Sequence, residues 1–404
     1  MEHGPLHNVR VTEFTSAWAG PYATCLLGFL GAEVIKVESM GRLDHSRLTA
    51  FSTGKNFTTP NESSVFNSIN LNKKSVTLNL KQPKAIEMAK ELVKKSDVVV
   101  ENMRPGVMPR LGLGYEALSE VRPDLIYLSS SACGQTGPDT AFVGYAPNFA
   151  SIGGVSYNTG YEDWPPSNLM GFIDLKSATT SAFAILMALI YRQNTGEGQY
   201  IDLASQECIA TLNSDILLEY ILNQRVPGRH GNRDDIMAPH NCYPCQGEDK
   251  WISIAVKSNE EWQACCKVMG KPELAEDPRF VDNYVRWNNQ TELDTIIGEW
   301  TKDFDAGELM QLFQKEGVAA TPSYNAEGLF EDPHLKERGV FQEVDHPVME
   351  KDYVIAPPWR LSETPAAVRR HAPNLGEDNE YVFCEMLGMS KSEIEALIEE
   401  KVVF

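Results

Sequence analysis

Basic residues are scarce in this chain: 36 Lys and Arg stand against 56 Asp and Glu, a formal charge of −20 over 404 residues. That deficit argues against a nucleic-acid or anionic-membrane surface, although a local basic pocket survives it. Long apolar runs are missing too. No stretch holds about 18 uninterrupted apolar residues, and the opening MEHGPLHNVRVTEF has no basic segment leading into an apolar core. The expectation is a protein that neither spans a membrane nor is secreted. The eight cysteines are few for the length and irregularly spaced, Cys265 and Cys266 being neighbours, which argues against a disulfide framework and fits a reducing cytoplasm. There is no G-x-x-x-x-G-K-[ST] loop and no G-x-S-x-G elbow, so P-loop phosphoryl transfer and the serine-hydrolase elbow drop out.

Two motifs that are present carry little. GLGYEA (112–117) has the G-x-G-x-x-A spacing but follows a Pro/Arg loop instead of a strand, so it does not read as a dinucleotide site. CYPC (242–245) lacks a second ligand pair for zinc, and it leads into a turn and strand where a redox pair would open a helix. No metal site is expected.

What remains is a regular alternation. VRVTEF (9–14), AEVIKVE (32–38), SVTLNL (75–80), DVVVEN (97–102), LIYLSSSA (125–132) and QYIDLA (199–204) read as strands. Helical spacing fills YATCLLGFLG, KQPKAIEMAKELVKKS (81–96), YEALSEV (115–121), a helix of about 20 residues ending near Asn194-Thr195-Gly196, and 205–223. The pattern predicts an α/β fold with a parallel, doubly wound sheet. The texture changes between about 225 and 330, giving three stretches: a large domain over 1–224, a smaller domain over 225–330, and a segment over 331–404 that returns to the large domain. No repeat or low-complexity tract interrupts them.

The few basic residues cluster. Arg42 and Arg47, Lys73 and Lys74, Lys81, Arg104 and Arg110 follow or flank strand ends, where open α/β sheets bind ligands, so a phosphate-bearing ligand is expected there. One acid also stands apart. In NLMGFIDLKSATTSAF (168–183), Asp174 lies among Met170, Phe172, Ile173 and Leu175 at the start of the long helix. An Asp in that place is ordinarily a helix cap.

Seven stretches in order change that reading: TEFTSAWAGPYATCLLGFLGAEVIKVE, NLNKKSVTLNLKQPKA, DVVVENMRPGVMPRLGLGYEAL, SACGQTGP (131–138), TGEGQYIDLA, GVAATPSYNAEGLFEDPH and APNLGEDNEYVFCEMLG. Together they resemble the class III CoA-transferases, which include formyl-CoA:oxalate and carnitine CoA-transferases and the related α-methylacyl-CoA racemases. The resemblance implies a Rossmann-like large domain, a small α+β domain joined by two linkers, and an interlocked dimer, either of two copies or with a homologous chain. It puts the family's catalytic aspartate on Asp174. It puts the CoA site on Leu78, Lys81, Asn102, Met103, Arg104 and Arg110, and the substrate pocket on Trp18 and Tyr145.

The implied chemistry is acyl-CoA:carboxylate CoA transfer, with CoA thioesters as substrates and no permanently bound cofactor. The aspartate attacks the thioester to give a mixed anhydride and CoA thiolate. The thiolate then forms an aspartyl-CoA thioester, which the incoming acid attacks. Apolar neighbours would shield the anhydride from water. Departures from the pattern separate the relatives. Racemases have a His in the GYAPNFASIGG segment, where this chain has Tyr145, so an epimerase is the alternative, with a non-catalytic CoA-binding subunit as another. The formyl-CoA enzymes have Gln at Trp18 and a glycine run in place of NRDDIMAPHN (232–241), so their glycine lid does not carry over. TSAWAGP and GRLDHSR resemble the subunits that transfer CoA from succinyl-CoA to benzylsuccinate, which suggests a bulky dicarboxylate acceptor, with Arg47 or His45 holding its second carboxylate.

Overall fold

The structure, a computed structural model, describes residues 3–48 and 59–404. By its internal contacts the chain forms two compact units. One comprises the described residues up to Ser156 together with Asn168–Asn223 and His334–Phe404; the other comprises Tyr157–Ser167 and Gln224–Pro333.

The first unit is built on six parallel strands: β1 (Arg10–Phe14), β2 (Glu33–Glu38), β3 (Lys73–Thr77), β4 (Val98–Glu101), β5 (Ile126–Ser131) and β6 (Gln199–Ala204). Their order, β3-β2-β1-β4-β5-β6, is that of a doubly wound sheet whose direction of winding reverses between β1 and β4. Val98, Val99 and Val100 are all fully buried, as a strand covered on both faces requires. The alternation in SVTLNL misplaces β3: the strand starts earlier, at Lys73, and ends at Thr77. Leu78 then turns its N–H to the Glu38 carbonyl at 2.7 Å.

The long helix runs Gly171–Thr195 and closes on Gly196 at φ 80°, the left-handed cap its sequence predicts. By length and composition it is the one described helix apolar enough to cross a membrane. Its buried face, with Ala182, Ile185 and Ala188, instead packs in the same core cluster as Cys25, Leu26, Ile126 and Leu128. The segment 205–223 is not one helix: a 3₁₀ turn at Thr211–Asn213 divides it. There the Asn213 side chain donates to the Gly153 carbonyl at 2.6 Å. Near the C-terminus, Phe383, Leu397 and Val403 share a core cluster with Val76, Leu78 and Leu92. Asp378 accepts the Ser75 N–H of β3 at 2.9 Å.

The second unit holds an antiparallel sheet, β7 (His240–Pro244), β8 (Trp251–Ala255) and β9 (Ala319–Pro322), over a core around Trp262, Phe280 and Phe313. It also takes Tyr157–Ser167, which lies within the stretch read as the large domain. Hydrogen bonds fix this segment: Gly231 N–H to the Gly160 carbonyl at 2.9 Å and Arg229 to the Tyr157 carbonyl at 3.0 Å. Cys242 lies in β7, and all eight cysteines are free. Burial pushes the Cys245 thiol up to about 11, too high for a thiolate at neutral pH.

Candidate active site

The carboxyl ends of β1 and β4 meet at the reversal of winding, and Asn102 ties them together. Its side chain accepts the Ser16 N–H at 2.8 Å and donates to the Ser16 carbonyl at 2.8 Å. Both ends of the amide are thereby used within the chain, so the Asn102 side chain positions the loop. Gly20 is required by the same approach, because a Cβ there would lie 2.9 Å from the Asn102 side chain and 2.8 Å from Thr15. Ala17 takes a left-handed φ of 71°. It is held there by donating its N–H to Asp44 at 3.0 Å. Trp18 follows, 37% exposed, so it is not a core side chain.

Beneath this loop lies a buried ion network. Lys36 contacts Asp44 at 2.7 Å and Glu13 at 3.2 Å, and Lys73 contacts Glu13 at 3.0 Å. All four side chains are within 2% of fully buried. Burial would raise the Glu13 carboxyl, but the Lys73 and Lys36 charges outweigh it and hold the pKa below its ordinary value. These residues brace the strand ends and do not face a ligand.

The expected anion-binding residues therefore divide. Lys73 is spent on Glu13. Arg47 is 1% exposed and bonds Glu38 through two contacts of 2.9 Å with Phe66 stacked at 3.5 Å, which corrects the expectation that it holds a substrate carboxylate. Lys74 is 4.0 Å from Asp378 and lies over the Tyr381 ring. Arg42, Lys81, Arg104 and Arg110 are exposed, and among the described residues none of them makes an ion pair. Arg42 reaches the Met103 sulfur at 3.2 Å. Leu78 is 2% exposed and belongs to the core, so its side chain is not open to a ligand. The ends of β3, β2, β1 and β4 succeed one another along one edge, so Lys81 and Arg104 follow strands about 14 Å apart.

Asp174 is not the helix cap. Met170 occupies that position, and Asp174 stands in the first turn with no hydrogen bond or ion pair to its carboxylate among the described residues. Burial alone pushes its pKa up to about 6. Ala146 and Ile173, the chain neighbours of Tyr145 and Asp174, are buried in one cluster with Ala150 and Ile209, so the two helix starts that carry them pack together. Tyr145 is exposed, and its ring centroid lies 6.2 Å from that of His45. The His45 backbone N–H donates to the Ser16 hydroxyl at 3.0 Å, which joins this group to the β1 loop. The expected apolar shelter is only partly there: Ile173 is buried, while Met170, Phe172 and Leu175 are 64%, 42% and 38% exposed.

A nucleophilic Asp174 has a direct pH consequence. Only the ionised form attacks, so kcat/KM for the acyl-CoA donor is expected to fall as pH drops through about 6. The loss should approach tenfold per unit below that point. A rate profile flat from pH 5 to 8 would contradict it.

Known proteins resemble this chain in sequence and in fold. Residues 6–379 match the profile of CoA-transferase family III. The chain is 34% identical to succinyl-CoA–D-citramalate CoA-transferase of Chloroflexus aurantiacus, over 99% of this chain and 98% of that one. It is 33% identical to human succinyl-CoA:glutarate CoA-transferase, over 99% and 90% respectively. Among solved structures, a CAIB/BAIF family protein from Brucella suis superimposes with a TM-score of 0.86 at 30% identity, covering 95% of this chain and 100% of that one.

Proposed function

Since the chain belongs to CoA-transferase family III and is a CoA-transferase, we propose that it moves CoA from succinyl-CoA to a second dicarboxylate through an aspartyl-CoA thioester on Asp174. The observation that carries this reading is the Asp174 carboxylate itself: partly desolvated, raised to about 6, and without a hydrogen bond or ion pair among the described residues. A structural acid would be capping or paired. An acid kept partly out of water without a partner costs stability and gains nucleophilicity. Each transfer balances as an exchange of acyl groups: the thiolate that leaves the donor attacks the aspartyl carbonyl, and the donor acid departs. The acceptor carboxylate then attacks the aspartyl thioester, and the released thiolate takes the acceptor acyl group and frees Asp174. No metal or redox cofactor enters.

Arg42, Lys81, Arg104 and Arg110 offer unpaired positive charge for the phosphates of CoA, with the backbone at Leu78 and Met103 lining its path. Asn102 holds the loop that carries Trp18. The relatives' names place dicarboxylates on both sides of the exchange, which favours a dicarboxylate acceptor here. Benzylsuccinate is the bulkiest candidate, and Trp18, Tyr145 and His45 are the side chains that would meet it. The working form is an interlocked dimer with a second copy or a homologous chain. The Ser214–Asn223 helix supports this, because no residue on it is buried and Leu217, Leu218, Tyr220, Ile221 and Leu222 are each more than half exposed. The shelter that Asp174 lacks in the single chain is assigned to the partner. The free cysteines suit a cytoplasmic setting.

A panel of dicarboxylates, including glutarate, citramalate and benzylsuccinate, incubated with succinyl-CoA in deuterated water tests the reaction class. The expected result is a new acyl-CoA and free succinate, with no deuterium at the α-carbon. Deuterium there without transfer would instead support an epimerase, in which His45 is the imidazole beside Tyr145.

A further inference from the structure

On the side of β4 away from β1, the sheet edge opens into a cleft of about 390 Å³ that none of the groups around Asp174 lines. Three tyrosines build one wall. The ring centroids of Tyr115 and Tyr200 are 5.4 Å apart, those of Tyr127 and Tyr200 5.9 Å, and those of Tyr115 and Tyr127 6.1 Å. Glu101, the last residue of β4, enters the same space. It is 4% exposed, accepts the Met103 N–H at 2.8 Å, and makes no ion pair among the described residues.

The surroundings are electronegative. Burial raises the Glu101 carboxyl to about 7, and the Asp202 charge adds to the rise. Tyr127 and Tyr200 are raised as well, by burial first and then by neighbouring negative groups that include Glu101. Asp202, on β6, accepts the Gln135 N–H with both oxygens at 3.0 and 2.9 Å. Gln135 lines the cleft too, and its Nε2 is buried with no acceptor. Arg104 and Glu116 line the cleft as exposed residues of opposite sign, which leaves its mouth close to neutral.

Aromatic faces beside a buried carboxyl are the chemistry that recognises an organic cation. An anion would meet Glu101 and the negative faces of the rings. A purely apolar ligand would leave the Gln135 Nε2 without an acceptor and the Glu101 carboxylate, held by the Met103 N–H and the Ser129 hydroxyl, without a counter-charge. We propose that this cleft binds a small organic ammonium carrying an oxygen, with the cation at Glu101 against the tyrosine faces and the oxygen accepting from Gln135. The cleft shares Arg104 with the proposed CoA path, so binding is read without CoA present, and it does not depend on the role of Asp174.

Choline titrated calorimetrically into the full chain tests the site, with 3,3-dimethylbutan-1-ol as its neutral isostere and acetate as the anion control. Saturable choline binding is expected at pH 8. It should weaken about tenfold with the isostere, with Glu101→Gln and with Tyr200→Leu, and stay within about twofold in Tyr200→Phe. Affinity should fall from pH 8 to pH 6 as Glu101 takes up its proton. The Tyr200 pair and the isostere keep the test valid if Glu101→Gln does not fold. Equal binding of the isostere, unchanged binding in folded Glu101→Gln, preference for acetate, or no saturation by about 10 mM would each overturn the site.

Discussion

Asp174→Ala is expected to lower kcat for CoA transfer by at least about 10,000-fold, because removing the nucleophile removes the covalent path and leaves only binding. The fold should survive, since among the described residues the carboxylate makes no bond that alanine would break. Asp174→Asn sharpens the distinction between a lost nucleophile and a lost fold. A carboxyl whose folded pKa is raised to about 6 disfavours its ionised form in the native state. The wild type therefore loses stability as pH rises from the ordinary Asp value through about 6, and the loss is complete above that. The Asn variant escapes it. At pH 8 it should be inactive yet melt at a higher temperature than the wild type, and by about pH 4 the difference should vanish. A drop in melting temperature for both variants would mean that Asp174 serves the structure.

The second large effect falls on stability. Glu13→Ala would leave Lys73 buried without its carboxylate and Lys36 with Asp44 as its remaining ion pair. Stranding a buried charge costs about 3–5 kcal/mol. For a chain of this size that corresponds to a fall in melting temperature on the order of 10 °C. Arg279→Ala, which removes exposed ion pairs to Asp277 and Glu292, should leave the melting temperature nearly unchanged. Similar losses for the two variants would show that the network is not what braces the strand ends. Because Asp44, the partner of Lys36, also holds Ala17, residual transfer activity in Glu13→Ala should fall with the loop.

The alternation of strands and helices was legible because burial on both faces writes itself into near-continuous apolar runs such as DVVV. The end of the long helix was legible because Gly196 is the residue a left-handed cap needs. Asp174 was legible as a special position but not as an unbonded one, because a sequence shows the helix start and not that Met170 takes the cap. The basic cluster misled for a similar reason. Arg47 and Lys73 have the spacing of surface charges, and only folding brings Glu38 and Glu13 to them, the latter from 60 positions away. Glu101 was hidden as the polar end of an apolar strand, and its tyrosine neighbours come from three separate stretches of chain. Tyr157–Ser167 joins the second unit through loop hydrogen bonds, which leave no period in the sequence.

The most direct measurement is chemical. The enzyme is held in turnover with succinyl-CoA, quenched with hydroxylamine or borohydride, digested, and mapped by mass spectrometry. Modification of the peptide NLMGFIDLK at Asp174, absent without acyl-CoA and absent in Asp174→Asn, is the predicted result. Modification at another carboxylate, or none while succinyl-CoA is being consumed, would contradict the account.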